Sequence, residues 1–264
     1  MLLDINELHL SFVGGDEPAH ILKGIDLHVA AGELVGLVGE SGSGKSTSVR
    51  AALRLYGDEA EITGSIRVDG TEMVGADAAT CRRLRAESVA LVQQDPRAAL
   101  NPVRRIGDSL AERLVRVHGK RRRDADERIL ALLTEVGLTQ PERRMRQYPH
   151  ELSGGMLQRV VIAAALSTDP KLVLADEATS ALDVTTQAEI IAIFQRQIRE
   201  RGLGMLFITH DLHLAGAICD RIHVLQQGEI VETLGRPGLF AEARHPYTRS
   251  LIESAPALER RAQS

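Results

Sequence analysis

"GELVGLVGESGSGKSTSVRAALRL", Gly32 to Leu55, holds in one stretch the three pieces whose order decides the fold. An apolar run from Leu34 to Val38 reads as a buried strand, a glycine-rich loop follows, and apolar positions at helical spacing begin near Lys45. The loop is Gly39, four residues, then Gly44, Lys45 and Ser46, which satisfies the G-x-x-x-x-G-K-[ST] phosphate loop. Its glycines allow backbone conformations closed to residues with a side chain, so successive N–H groups from Ser41, Gly42, Ser43 and Gly44 can turn toward an anion. A helix starting at Lys45 adds the positive end of its dipole. Lys45 supplies a point charge for the β- and γ-phosphates, the Ser46 hydroxyl is a candidate Mg²⁺ ligand, and Thr47 follows in the first turn. A flexible Gly/Ser turn is the alternative for the loop alone. Strand and helix on either side favour a nucleotide.

Outward from this loop, the composition is that of a soluble globular protein, with 44% hydrophobic and 26% charged residues among 264. That length accommodates one large domain, or a core with a smaller satellite. The net charge of −4 gives no general attraction to nucleic acid, and no apolar run is long enough to span a bilayer. "MLLDINELHL" has no basic flank or cleavage site, so the expected location is cytosolic. Cys81 and Cys219 lack zinc-site spacing and read as reduced structural thiols.

The chain before the loop alternates in short β-like runs, "LLDINELHLSF" and "ILKGIDLHVA", joined by the turn-rich "VGGDEPAH". After "EITGSIRVDG" the pattern becomes helical, and the reading places an inserted helical subdomain at about 77–150, carried by "IGDSLAERLVRV" and "DERILALLTEVGL". Strand and helix then alternate through "QRVVIAAALS", "KLVLADE", "TTQAEIIAIFQRQIRERG" and "GMLFITH", with a C-terminal tail from about 236 to 264. The expected fold is α/β, a phosphate-loop ATPase core with a mostly parallel sheet, an N-terminal antiparallel β subdomain and the helical insert, all within one domain over 1–264. The basic "GKRRRDADER" lacks aromatics and meets acidic residues at once, so it reads as a solvated helix start.

Hydrolysis needs a metal partner and a base. "KLVLADE" ends an apolar strand in Asp176, suited to holding the Mg²⁺ shell, with Glu177 next to it as candidate base for the attacking water. A strand-ending acidic turn is the alternative when this segment is taken alone. His210, past the strand in "LFITHD", is placed to reach a γ-phosphate, because the ends of neighbouring parallel strands share one crevice. Its three-residue spacing from His213 is a weak metal signal. Gln94 in "LVQQDP" follows another apolar run, where its amide can serve a metal or a water.

"ELSGGMLQR", Glu151 to Arg159, is a second glycine-rich helix start without a lysine. Here the sequence resembles the nucleotide-binding subunits of ATP-binding-cassette transporters, whose signature is LSGG. The resemblance covers essentially the whole chain in motif order: phosphate loop 39–46, Gln94 as Q-loop, signature 152–156, Asp176–Glu177, "SALD" 180–183 as D-loop and His210 as switch histidine. It implies ATP and Mg²⁺ as ligands, with ATP sandwiched between the phosphate loop of one subunit and Ser153, Gly154 and Gly155 of another, and with Asp183 of the D-loop among the nucleotide-binding residues. It also implies that Phe12 stacks on adenine. The implied metal set is Ser46, Gln94 and Asp176, and the catalytic set is Glu177, His210 and Gln94.

"QDPRAALNP" and "HPYTRSLIESAP" look like importers of oligopeptides, dipeptides and nickel or metallophore complexes, and "SGGMLQR" with the short chain leans toward the nickel and metal-chelate members. No cysteine follows "HPYT", so no iron–sulfur cluster is expected. Gln93 and Ala178 depart from the commoner aromatic and proline without removing a catalytic group. The resemblance implies two transmembrane permease subunits, a second ATPase subunit identical or related, an extracytoplasmic solute-binding protein, no nucleic acid, and a place on the cytoplasmic face of the inner membrane. The alternative is a soluble ATPase of the same type clamping DNA or the ribosome.

Overall fold

The computed structural model describes residues 1–14, 18–180, 182–235 and 240–254. Part of the "VGGDEPAH" turn, Ala181 of "SALD" and the tail segments 236–239 and 255–264 lie outside the described residues.

Strands β3 (Leu34–Val38) and β8 (Gly204–Thr209) are buried at every position, because both faces of their sheet are covered. That sheet runs β10 (Glu229–Gly235), β9 (Arg221–Gln226), β3, β8, β7 (Leu172–Asp176) and β6 (Val89–Val92), with only the β9–β10 pair antiparallel. Side chains alternate across it: Leu34, Val38, Val173 and Phe207 enter one core, Val35, Leu37, Leu174 and Ile208 the other. The first core is closed by helices α6 (Gly154–Leu166), α7 (Val184–Arg201) and α8 (Leu212–Ile218). The second is closed by α1 (Lys45–Ala52), α2 (Ala78–Glu87) and an antiparallel sheet in the order β2 (Ala19–Val29), β1 (Leu3–Phe12), β4 (Ala60–Val68), β5 (Thr71–Glu72). Each fully buried Leu, Ile or Val contributes about 1.5–3 kcal/mol to holding these layers together.

A bulge bends the antiparallel sheet. Glu7 has φ 47, the β1–β4 register shifts between Asn6 and His9, and the Glu7 N–H donates to the Asp26 carboxylate at 2.8 Å. Gly64 lies opposite at φ 97, where a Cβ would stand 2.2 Å from the Glu7 carbonyl oxygen. Only glycine fits there.

The stretch 77–150 is not uniformly helical. Helix α2 packs under the antiparallel sheet through Cys81 and Leu84, and Val89–Val92 is the edge strand β6. Four buried or half-buried β-branched and apolar residues are too few for a helix and pair readily with β7. The helical body is α3 (Ile106–Arg116), α4 (Arg122–Glu135) and α5 (Pro141–Met145), where Ile106, Leu110 and Leu114 share a core with Ile129, Leu132 and Leu133. The arginines that open α4 are spent locally: Arg121 pairs with Asp124, Arg122 with Asp108 and Asp126, and Arg123 with Glu127. Such exposed pairs add little stability, and they leave no stripe of free basic charge. Cys81 and Cys219 are buried and form no disulfide. Helix α9 (Pro246–Ser254) packs beside α8, and no helix among the described residues is long and apolar enough to cross a membrane.

Candidate active site

The phosphate loop leaves the C-terminal end of β3 and enters α1, as the strand–loop–helix order requires. Gly39 and Gly44 are fixed by packing as well as by conformation. A Cβ on Gly39 would lie 2.1 Å from the Leu225 carbonyl oxygen, and one on Gly44, at φ 108, would lie 2.8 Å from Leu22. The Ser43 carbonyl accepts the Gly228 N–H at 3.0 Å, so the β9–β10 turn braces the loop from outside.

Lys45 is buried, 4% exposed, and its ammonium donates to the carbonyl oxygens of Gly39 at 2.7 Å and Glu40 at 2.6 Å. Burial pushes its pKa down, against the pull of the Glu177, Asp176 and Glu40 carboxylates. Asp176, at the end of β7, accepts the Ser46 hydroxyl at 2.8 Å. Burial pushes the Asp176 carboxyl up, the Ser46 hydrogen bond holds it partly back, and neighbouring Glu177 pushes it up further.

Glu177 has φ 48, a left-handed conformation costing on the order of 1 kcal/mol, and its N–H donates to the Ile208 carbonyl at 3.1 Å. This sharp turn after the strand aims its carboxylate at Gln94, whose Nε2 donates to Glu177 Oε2 at 3.1 Å. His210 Nδ1 stands 3.7 Å from the same oxygen, with the imidazole 60% exposed at the end of β8. Ser41, Gly42, Gly44 to Thr47, Gln94 and Glu177 line one cleft of about 280 Å³. Larger in volume, at about 360 Å³, is a hollow among α3, α4 and α5, but it mixes Arg105, Arg122 and Arg146 with Asp108, Asp126 and Glu127. With the charges so interleaved it lacks the single-sign field that would select a phosphate.

Other predicted residues are placed elsewhere. Ser153 caps α6 through a long 3.4 Å hydrogen bond from the Met156 N–H; Ser153 and Gly154 are exposed. Gly154 borders a second cavity of about 220 Å³ beside Asp95, Arg97 and Leu182, with Gln94 shared between the two cavities. Asp183 caps α7, accepting from the Thr186 N–H at 3.0 Å and its hydroxyl at 2.8 Å, and these bonds hold its pKa down. Phe12 packs edge to face with Tyr56 at 5.3 Å, and neither ring is among the residues lining the phosphate cleft. His213 turns away from His210: its Nε2 meets the Ile252 carbonyl at 3.1 Å and its ring packs on Phe240. No cluster of three or more His, Cys, Asp or Glu suited to a metal occurs among the described residues.

The contacts of two residues went unread in the sequence. Ser180 accepts from Gln94 Nε2 at 3.3 Å and donates to the Glu177 carbonyl at 3.1 Å, which ties the start of "SALD" to Gln94 and to the turn at Glu177. Tyr247 of "HPYT" accepts the Glu40 N–H at 2.9 Å. The motif was visible, but its contact spans 207 residues and has no local signal.

Residues 22–180 match the ABC transporter family. The oligopeptide transport ATP-binding protein OppD of Mycobacterium tuberculosis is 42% identical over 260 residues, which cover 98% of this chain and 42% of that protein. This chain therefore spans less than half the length of that relative. The probable peptide ABC transporter ATP-binding protein y4tR of Sinorhizobium fredii is 40% identical, over 100% of this chain and 79% of its own length. Among solved structures, the ATP-binding cassette MJ0796, dimeric in a post-hydrolysis state bound to ADP and Pi, superposes with TM-score 0.79 at 28% identity, covering 89% of this chain and 99% of that one. A family match across more than half the chain, together with a relative 40% identical over all of it, means that the chain belongs to the ABC transporter family.

Proposed function

We propose that the chain is the ATP-hydrolysing subunit of an importer, one cassette over 1–264 with α3 to α5 as its helical arm, coupling ATP turnover to uptake of peptides through partner permeases. The observation that carries this reading is one cleft lined by Lys45, Ser46, Gln94 and Glu177, with Asp176 bound to Ser46 beside it, while Ser153 and Gly154 stay exposed outside it. Peptide cargo is favoured over nickel because the relatives above are named for oligopeptide and peptide transport. Those names also favour transport over a clamp on DNA or the ribosome.

In this reading the inward N–H groups of the phosphate loop and the Lys45 ammonium hold the triphosphate. Glu177 takes a proton from the attacking water; Gln94 occupies one carboxylate oxygen and leaves the other to the water. His210, exposed beside Glu177, reaches the γ-phosphate as the site closes. The Ser46 hydroxyl and Asp176 carboxylate are adjacent hard oxygen donors, a set that fits Mg²⁺ completed by phosphate and water oxygens, with the Gln94 amide as a further candidate. When bound, Mg²⁺ neutralises charge developing on the transferred phosphoryl group. Ser153, Gly154 and Gly155 of a second ATPase subunit, identical or related, cover the nucleotide. Phe12, at the adenine, and Asp183 of the D-loop are further nucleotide-binding residues. Closure and reopening is a population shift, since the contacts across the nucleotide exist only in the closed pair. The complex sits on the cytoplasmic face of the inner membrane, with two permeases and an extracytoplasmic solute-binding protein.

The test is to purify the tagged chain from native membranes in detergent, identify what accompanies it, and measure ATPase stimulation by peptides with the co-purified binding protein. Two permeases, a second cassette and peptide-stimulated turnover are expected. Recovery with DNA or ribosomes alone overturns the transport reading.

A further inference from the structure

The C-terminal segment is strapped across the molecule onto the phosphate loop. At its near end the Glu232 carboxylate on β10 accepts the N–H groups of Arg244 at 2.6 Å and His245 at 3.2 Å. His245 Nδ1 accepts the Tyr247 N–H at 3.3 Å at the start of α9. Farther along, the Ile252 carbonyl meets His213 on α8 at 3.1 Å. Between these anchors the Tyr247 ring is buried, 9% exposed, and its hydroxyl accepts the Glu40 N–H at 2.9 Å. Burial pushes the phenol pKa up, so the group is neutral at physiological pH.

Glu40 N–H and Gly39 C=O belong to the same peptide group, and they point to opposite sides of it. One side is held by the Tyr247 hydroxyl, the other by the Lys45 ammonium at 2.7 Å. Hydrogen bonds through one amide reinforce each other by polarisation, so the phenol strengthens the acceptor on which Lys45 rests. The next carbonyl, that of Glu40, also accepts Lys45 at 2.6 Å and the Ser43 N–H at 3.2 Å. Loss of the phenol would therefore free the entrance of the loop at the point from which Lys45 is aimed.

We propose that Tyr247 is a positioning residue of the nucleotide site, by which the C-terminal strap sets the geometry of the Gly39–Glu40 peptide and thereby the affinity for the triphosphate. The inference rests on the reading of the loop as an ATP site. It assigns to the "HPYT" segment a role in nucleotide affinity, separate from any role in cargo or permease recognition.

The test is Tyr247→Phe in the full chain, read by amide exchange of Glu40 without nucleotide and by equilibrium ATP binding. Exchange at Glu40 is expected to speed up about tenfold, with amides inside β3 unchanged. The Kd for ATP is expected to rise about three- to tenfold, the effect of losing one hydrogen bond, while kcat at saturating ATP and the melting temperature stay near wild type. Glu232→Ala loosens the strap without touching the loop and is expected to move both readouts the same way by less. Unchanged Glu40 exchange and ATP affinity in Tyr247→Phe overturn the proposal, and so does an affinity loss that merely follows a lowered melting temperature. Glu232→Ala with neither readout moved overturns the anchoring by β10. A wild-type chain that binds no ATP overturns the site reading itself, whereas Glu40 exchange still reports on the strap.

Discussion

The chain has two glycine-rich helix starts, at Gly39–Lys45 and at Ser153–Gly155, and they are built in opposite ways. The first is sunk into the fold: Gly39 has no room for a Cβ, Gly42 and Gly44 have positive φ, and a buried lysine is aimed from within. The second lies on the surface, without a lysine or a positive φ at either glycine, and only its own serine caps it. Both carry the positive end of a helix dipole. The dipole is therefore common to both, and it is the surroundings that set them apart. A desolvated ammonium and nearby carboxylates surround the first, whereas the second is left exposed, which is why the proposed function assigns it to the junction with a second subunit.

The largest expected effect tests the completed site. Glu177→Gln keeps the shape of the side chain but cannot accept the proton from water, so turnover is expected to fall on the order of 100-fold or more with ATP binding retained. Near-normal phosphate release would remove Glu177 as the base.

The next test crosses the two helix starts. Lys45→Ala is expected to weaken ATP binding to the isolated chain about 10- to 100-fold, the scale of a lost charge-assisted hydrogen bond. Ser153→Arg is expected to leave that binding within about twofold and to lower turnover of the assembled complex roughly tenfold or more, because the bulk falls only at the proposed subunit junction. Equal loss of binding in both variants, measured by titration calorimetry, would erase the contrast.

The smallest effects are on stability, and they have opposite signs. Asp176 has its pKa raised in the fold. Its contribution is fully present below the pKa of an unfolded aspartate, and it is lost as pH rises through the folded value. At neutral pH the buried Asp176 carboxylate therefore weighs against folding. Asp183 has its pKa lowered, so its contribution is present above the unfolded value and is lost as pH falls through the folded one. Asp176→Asn is expected to raise the melting temperature of the nucleotide-free chain at pH 7, and Asp183→Ala to lower it. Thermal melts between pH 3 and 7 should show the two variants converging toward wild type as the solution is acidified. If Asp176→Asn destabilises at pH 7, the burial cost assigned to this carboxylate is wrong.

Legibility in the sequence differed between regions for the same reason. The phosphate loop was readable because its chemistry is local: strand, glycines, lysine and helix lie within 24 consecutive residues. The strand-end positions of Asp176, Glu177 and His210 were readable because an apolar run leads into each. Strand β6 was obscured inside a charged, helix-patterned stretch, since four residues carry too little periodicity to separate strand from helix. The packing of Phe12 on Tyr56, a residue beyond the end of α1, is shown by no spacing rule.

The amino-acid order was enough for the layers, through unbroken apolar strands for the double-covered sheet and alternating ones before the loop, and for gathering the candidate phosphate-binding residues into one loop. Tertiary structure alone decided the partners: Gln94 against Glu177, the Leu225 carbonyl closing on Gly39, and Tyr247 bound to the Glu40 amide. The physical reason is range. Propensity and periodicity act over a few residues, whereas a hydrogen bond between residues 40 and 247 exists only once two sheets and nine helices among the described residues have set the distance.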